Sequence, residues 1–182
     1  ILTLRGKALL GLNRFQEAKE LFDQALQDEP HFPDALIGLA RYALSQKDVE
    51  TAMRYLEEVT TKYPGNTNAL IFKGDLLRAQ GKNDLALDSY DLAIKAKPDQ
   101  ITAYVNRSSV LISLGKLDAA QQALNTASKI APGNLLIAFN QALLDFTQGK
   151  HAVALDTLQK ILSTAPDHMP SVLIAAASHF AL

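Results

Sequence analysis

The residues best spaced for covalent chemistry are Ser113-Leu114-Gly115-Lys116, which match the S-x-x-K pattern of a serine nucleophile with its lysine. The companion S-D-N and K-T-G words that such a site needs are absent. The same place recurs as Ala79-Gln80-Gly81-Lys82 and Thr147-Gln148-Gly149-Lys150, where no serine stands. A word that repeats without its nucleophile is a structural word, so we read it as a turn. Metal chemistry fares no better. His31, His151, His168 and His179 have no i,i+4 partner for a helical zinc site, and there is no cysteine to join them. The glycines stand singly and form no phosphate loop. Asn106-Arg107-Ser108 is a formal glycosylation sequon, but it falls inside an expected helix and is discounted. No catalytic residue, metal site or cofactor is therefore expected, and the chain is read as a non-enzyme.

The elements that would position these residues are set by a period. Pro30, Pro64, Pro98, Pro132 and Pro166 each follow the previous one by 34 residues. Aligned on them, Ala18, Ala52, Ala86, Ala120 and Ala154 fall twelve residues before, and Phe22, Leu56, Tyr90, Leu124 and Leu158 eight before. Ala25, Val59, Ala93, Ala127 and Ile161 fall five before. Asn13, Lys47, Gly81, Gly115 and Gly149 fall seventeen before. Small residues let two helices approach and large ones fill the space between them. Gly or Asn suits the left-handed residue that ends a helix, and proline stops the next helix from continuing.

This pattern resembles the tetratricopeptide repeat, a helix–turn–helix unit of 34 residues. The small position of its first helix reads Gly6, Ala40, Gly74, Ser108, Ala142 and Ala176. The family's aromatic near the start of that helix is mostly absent. The resemblance implies an all-α solenoid, a right-handed superhelix of antiparallel helix pairs, with eleven helices. The first helices (A) are expected over about 1–11, 33–46, 67–80, 101–114, 135–148 and 169–182, and the second helices (B) over about 15–28, 48–62, 83–96, 117–130 and 151–164. Asp48 suits an N-cap, Asp99 and Asn134 stand just before A helices, and Pro33 and Pro170 fit a first turn. One unit cannot bury enough apolar surface alone. We therefore expect a single array over 1–182, with repeats at about 1–32, 33–66, 67–100, 101–134 and 135–168, plus the A helix 169–182 of a sixth.

In such solenoids the A helices line a concave groove. The positions that face it here carry Arg41, Ile71, Asp75, Arg78, Val105, Asn106 and Ser109, and then Phe139, Leu143 and Phe146. A peptide or helix partner would find aromatic anchors at one end and hydrogen-bonding groups in the middle. The plainer alternative packs Phe139 and Phe146 between helices and pairs Arg41 with Asp75 as a surface ion pair. The family's C-terminal carboxylate clamp is not expected, because Asn106 lacks the basic partners it needs. Arg5, Lys73 and Arg107 share one repeat position. We read them as stems covering apolar surface, and with a net charge of −1 no nucleic-acid partner is expected.

The words Arg5-Gly6-Lys7-Ala8-Leu9-Leu10, Lys73-Gly74-Asp75-Leu76-Leu77-Arg78-Ala79-Gln80-Gly81 and Ala165-Pro166-Asp167-His168-Met169-Pro170-Ser171 resemble the tetratricopeptide-repeat lipoproteins of the bacterial exosortase/PEP-CTERM system. That resemblance implies exopolysaccharide production and surface sorting, and a periplasmic or outer-membrane-anchored location. Without it the location would be cytoplasmic, and no membrane insertion of this segment is expected. The chain begins Ile-Leu-Thr-Leu, with no Met or cleavage site, and we expect a fragment of a longer protein. Helix 169–182 would then cap the stack imperfectly or pair with another copy. The expected function is a protein-interaction scaffold. The alternatives are a structural spacer, or a regulatory arm of an enzyme elsewhere in the full chain.

Overall fold

The computed structural model describes all residues from Ile1 to Leu182. It is all helical, with A helices α1 (Leu2–Gly11), α3 (Pro33–Ser45), α5 (Thr67–Ala79), α7 (Ile101–Ser113), α9 (Leu135–Thr147) and α11 (Met169–Ala181). The B helices are α2 (Phe15–Asp28), α4 (Val49–Lys62), α6 (Asn83–Ala96), α8 (Leu117–Ile130) and α10 (His151–Thr164). The expected boundaries hold to within a residue or two, because each end is set by local chemistry.

Five A-to-B turns place a residue in the left-handed region: Asn13, Lys47, Gly81, Gly115 and Gly149, with φ between 59° and 75°. The helix C-terminal signal therefore works even where lysine fills it, at φ 63°. Asp48 caps α4 by accepting from the Thr51 amide at 2.9 Å. Asn134 caps α9 by accepting from the Leu136 and Ile137 amides. Asn66 caps α5 through the Ala69 amide at 3.0 Å, a cap that the N-cap preference for Asn could have revealed. Asp99 is not a cap. Gln100 takes that place before α7 and makes no side-chain cap bond. Pro33 and Pro170 lie in the first turns of α3 and α11, where their missing N–H costs nothing.

The chain divides into two compact units, unit 1 over Ile1–Pro98 and unit 2 over Asp99–Leu182. In each, consecutive helices pack in A–B pairs along a seam. The five alanines twelve residues before the prolines are fully buried, and so are Phe22, Leu56, Tyr90, Leu124 and Leu158. The seam in unit 1 shows why small residues oppose large ones. A Cβ on Gly6 would lie 2.6 Å from the Phe22 ring, and one on Gly74 would lie 2.5 Å from the Tyr90 ring. Gly38 meets the same Phe22 ring, so the aromatic fits only because glycines on α1 and α3 make room on both sides. No helix is long and apolar enough to cross a membrane.

Candidate functional site

The candidate catalytic word is a turn in the structure. The Ser113 hydroxyl donates to the Val110 carbonyl at 2.7 Å, Gly115 is left-handed, and Lys116 is the N-cap residue of α8. No group of three or more His, Asp or Glu side chains converges as a metal site would require. Two of the histidines make polar contacts of other kinds: His31 with Glu58 at 2.8 Å, and His168 with the Ser171 hydroxyl at 2.7 Å.

On the A-helix face of unit 1, Arg41 on α3 is exposed, and its guanidinium lies 4.8 Å from the centroid of the Phe72 ring on α5. A cation over a ring face is held by the ring's quadrupole. Asp75, one turn along α5, accepts a hydrogen bond from the Tyr90 hydroxyl at 2.7 Å. Tyr90 comes from the B helix α6 and its side chain is fully buried. Burial, followed by the bond to Asp75, holds its hydroxyl well above the usual tyrosine range, with nearby Arg78 opposing the rise. Arg78 is exposed at the end of α5. Lys7 on α1 pairs with Asp34 on α3 at 3.0 Å. Ile71 is only 7% exposed and serves the core, so it offers a partner little surface.

The A-helix face of unit 2 is uncharged at its centre. The Ser109 hydroxyl donates to Asn140 Oδ1 at 2.6 Å, and Asn140 Nδ2 donates to the Leu136 carbonyl at 2.9 Å. Val105 is 5% exposed and belongs to the packing, whereas Asn106 and Leu143 are half-buried. Phe139 and Phe146 are half-buried too, and each ring meets a histidine edge-on. Phe139 packs on His168 and Phe146 on His151, both at 5.1 Å between centroids. Phe139 also packs against the cluster of Ala142, Leu158 and Ile161.

Phe72, Asn140, Tyr90, His151 and His168 shape these faces, whereas the sequence places Tyr90 only in the seam and weighs the two histidines only as metal ligands. One signal was available. Arg41 to Phe72 and Ser109 to Asn140 are both 31 residues apart, so the same two positions of neighbouring A helices meet in each unit. The repeat register contains this contact, but it becomes visible only once the helices are set side by side.

The B-helix side of unit 1 carries a separate cleft of about 850 Å³ between α4 and α6, with Leu77 and Lys73 of α5 beneath and the exposed Leu85 and Leu92 on one wall. At the matching positions of unit 2, Gln121 of α8 and Gln141 of α9 exchange hydrogen bonds at 2.8 and 3.1 Å, beside the buried Asp145.

A family model described as tetratricopeptide repeat matches residues 9–76 and 43–106, and a second such model matches 101–134. No curated protein sequence matches the chain. Among solved structures, the chain is similar to TTC0263, a thermophilic TPR protein in Thermus thermophilus. The two are 24% identical over 98% of this chain and 97% of that one, with a TM-score of 0.78. A tetratricopeptide repeat protein from Parabacteroides merdae is 17% identical over 99% of this chain and 72% of that one, with a TM-score of 0.80. YrrB, described as a TPR protein with an unusual peptide-binding site, is 20% identical over 94% of this chain and 88% of that one, with a TM-score of 0.67. At these identities the likeness speaks for the fold alone.

Proposed function

The chain belongs to the tetratricopeptide-repeat family, and from that premise we propose that it is a non-catalytic scaffold that binds a partner peptide or helix along its A-helix faces. Repeats of this family generally serve protein–protein interaction. The observation that carries the reading is the A-helix face of unit 1, where Arg41 rests on Phe72, with Asp75 and Arg78 on the same helix as that ring. Guanidinium and aromatic groups held in place are the residue types that dominate interface energies. The described peptide-binding site of YrrB adds support by analogy of fold.

Unit 2 would add hydrogen-bonding groups at Asn106 and Ser109, and the exposed edges of Leu143, Phe139 and Phe146. The single array over 1–182 is part of the proposal, and one cooperative transition in urea is its expected signature. Affinity capture from the native host tests the scaffold reading, using the intact chain beside Arg78→Glu, with captured proteins then titrated by calorimetry. A partner lost with Arg78→Glu supports binding on the A-helix face. A partner retained by the variant moves the site elsewhere.

A place in bacterial exopolysaccharide and surface sorting is supported only by the resemblance of three short words. Unchanged exopolysaccharide after deletion of the gene would remove it.

A further inference from the structure

Resting on the reading that unit 1 binds a peptide on its A-helix face, we propose that the peptide carries an acidic side chain, received by Arg41 where it rests on Phe72. The acids of this face already have partners. Asp34 is paired with Lys7 at 3.0 Å, and Asp75 accepts from the Tyr90 hydroxyl at 2.7 Å. The Arg41 guanidinium sits on a ring and not on a carboxylate. Arg78 is a second exposed guanidinium, on the helix that supplies that ring. With Lys7 and Asp34 paired to each other, two guanidinium groups (Arg41 and Arg78) stand on the face against one acid, Asp75, which already accepts from Tyr90.

The contact matters because a ring attracts the cation without supplying a carboxylate oxygen, so the guanidinium's N–H donors still have an acceptor to gain. A carboxylate accepts two such donors side by side, and an arginine already held over a ring loses less freedom in making those bonds than a mobile one. Half-buried Leu10 and Leu44 lie on the same A helices, so the acid is expected next to an apolar residue. A basic segment would be repelled, and a neutral one would forgo the contact. The corresponding face of unit 2 presents Asn106, Ser109 and Asn140, with no cation, so acid selection belongs to unit 1.

The test is selection of a random dodecapeptide library on the whole chain and, in parallel, on Arg41→Gln. Arg41 is exposed, so this variant should fold, which circular dichroism checks. Enriched peptides are expected to carry Asp or Glu beside an apolar residue. By calorimetry the best of them should bind Arg41→Gln about tenfold more weakly, and changing its acid to the amide should cost a similar factor. Phe72→Leu should weaken binding less, by a few-fold, since the charge remains and only its platform is lost. Enriched peptides without an acid, or equal affinity for Arg41→Gln, would overturn acid selection while leaving the scaffold reading in place. A library that yields no peptide on the intact chain would overturn the peptide-binding reading itself.

Discussion

In unit 1 the seam closes on aromatic rings where the facing helix offers glycine: Phe22 against Gly6 and Gly38, and Tyr90 against Gly74. In unit 2 the same two places hold Ser108 with Leu124 and Ala142 with Leu158, all fully buried. The repeat between Pro33 and Pro64 already uses the aliphatic version inside unit 1, with Ala40 and Leu56. The small and large positions thus trade volume, and a ring comes with a glycine. A core tolerates either solution as long as the summed volume is kept. The surfaces obey no such rule. The A-helix face of unit 1 carries cations and a ring, whereas that of unit 2 carries amides and a hydroxyl. Packing restrains the seam to a narrow set of pairs and leaves the faces free to differ.

The largest effect should come from emptying the aromatic seam. Phe22→Ala leaves a cavity between two glycines that have no side chains to fill it. It should destabilise unit 1 by roughly 3–5 kcal/mol in urea denaturation followed by circular dichroism. A loss below about 1 kcal/mol would mean that Phe22 is not the keystone of its seam.

Exchanging one solution for the other should cost less. Gly74→Ala drives a methyl into the Tyr90 ring and should destabilise by about 1–3 kcal/mol. Adding Tyr90→Leu converts this pair to the type found in unit 2. The double variant should therefore be more stable than the sum of the single changes predicts. Simple additivity would break the volume trade between the two positions.

The smallest effect distinguishes the helix caps. The bond from the Thr51 amide holds the Asp48 carboxyl below its ordinary range. A depressed folded value means that the cap's contribution is fully present above the ordinary carboxylate range and is lost as pH falls through the folded value. Asn134, which caps α9 in unit 2, does not titrate. In NMR spectra the Thr51 amide should shift on acidification while those of Leu136 and Ile137 stay put. Asp48→Asn should remove the Thr51 response.

Much of this architecture was legible before any coordinates. The left-handed turn positions, the alanine seam and the proline stops were readable because each depends on the residue itself and its near neighbours. Asn66 escaped notice although its cap signal is equally local. Gly38 lies against the Phe22 ring, a contact no single repeat spells out, because the ring needs room on two helices at once. For Arg41, register alone suggested an ion pair with Asp75, whereas the structure sets its guanidinium on Phe72. Phe139 and Phe146 were placed on the groove by register, and the structure adds a histidine against each ring, His168 and His151, that no repeat position announces.

The sequence by itself determined the eleven helices, their ends and the seam, because a 34-residue period repeats the same local instructions and the same volume constraint in every unit. Tertiary structure alone decided the partners of the long side chains. Arginine, aspartate and phenylalanine on an A helix can reach several neighbours of similar worth, and which one they take depends on what a neighbouring helix presents, 31 residues away for Arg41 and 15 for Asp75. That choice set the Arg41 guanidinium over a ring and gave Asp75 to the Tyr90 hydroxyl.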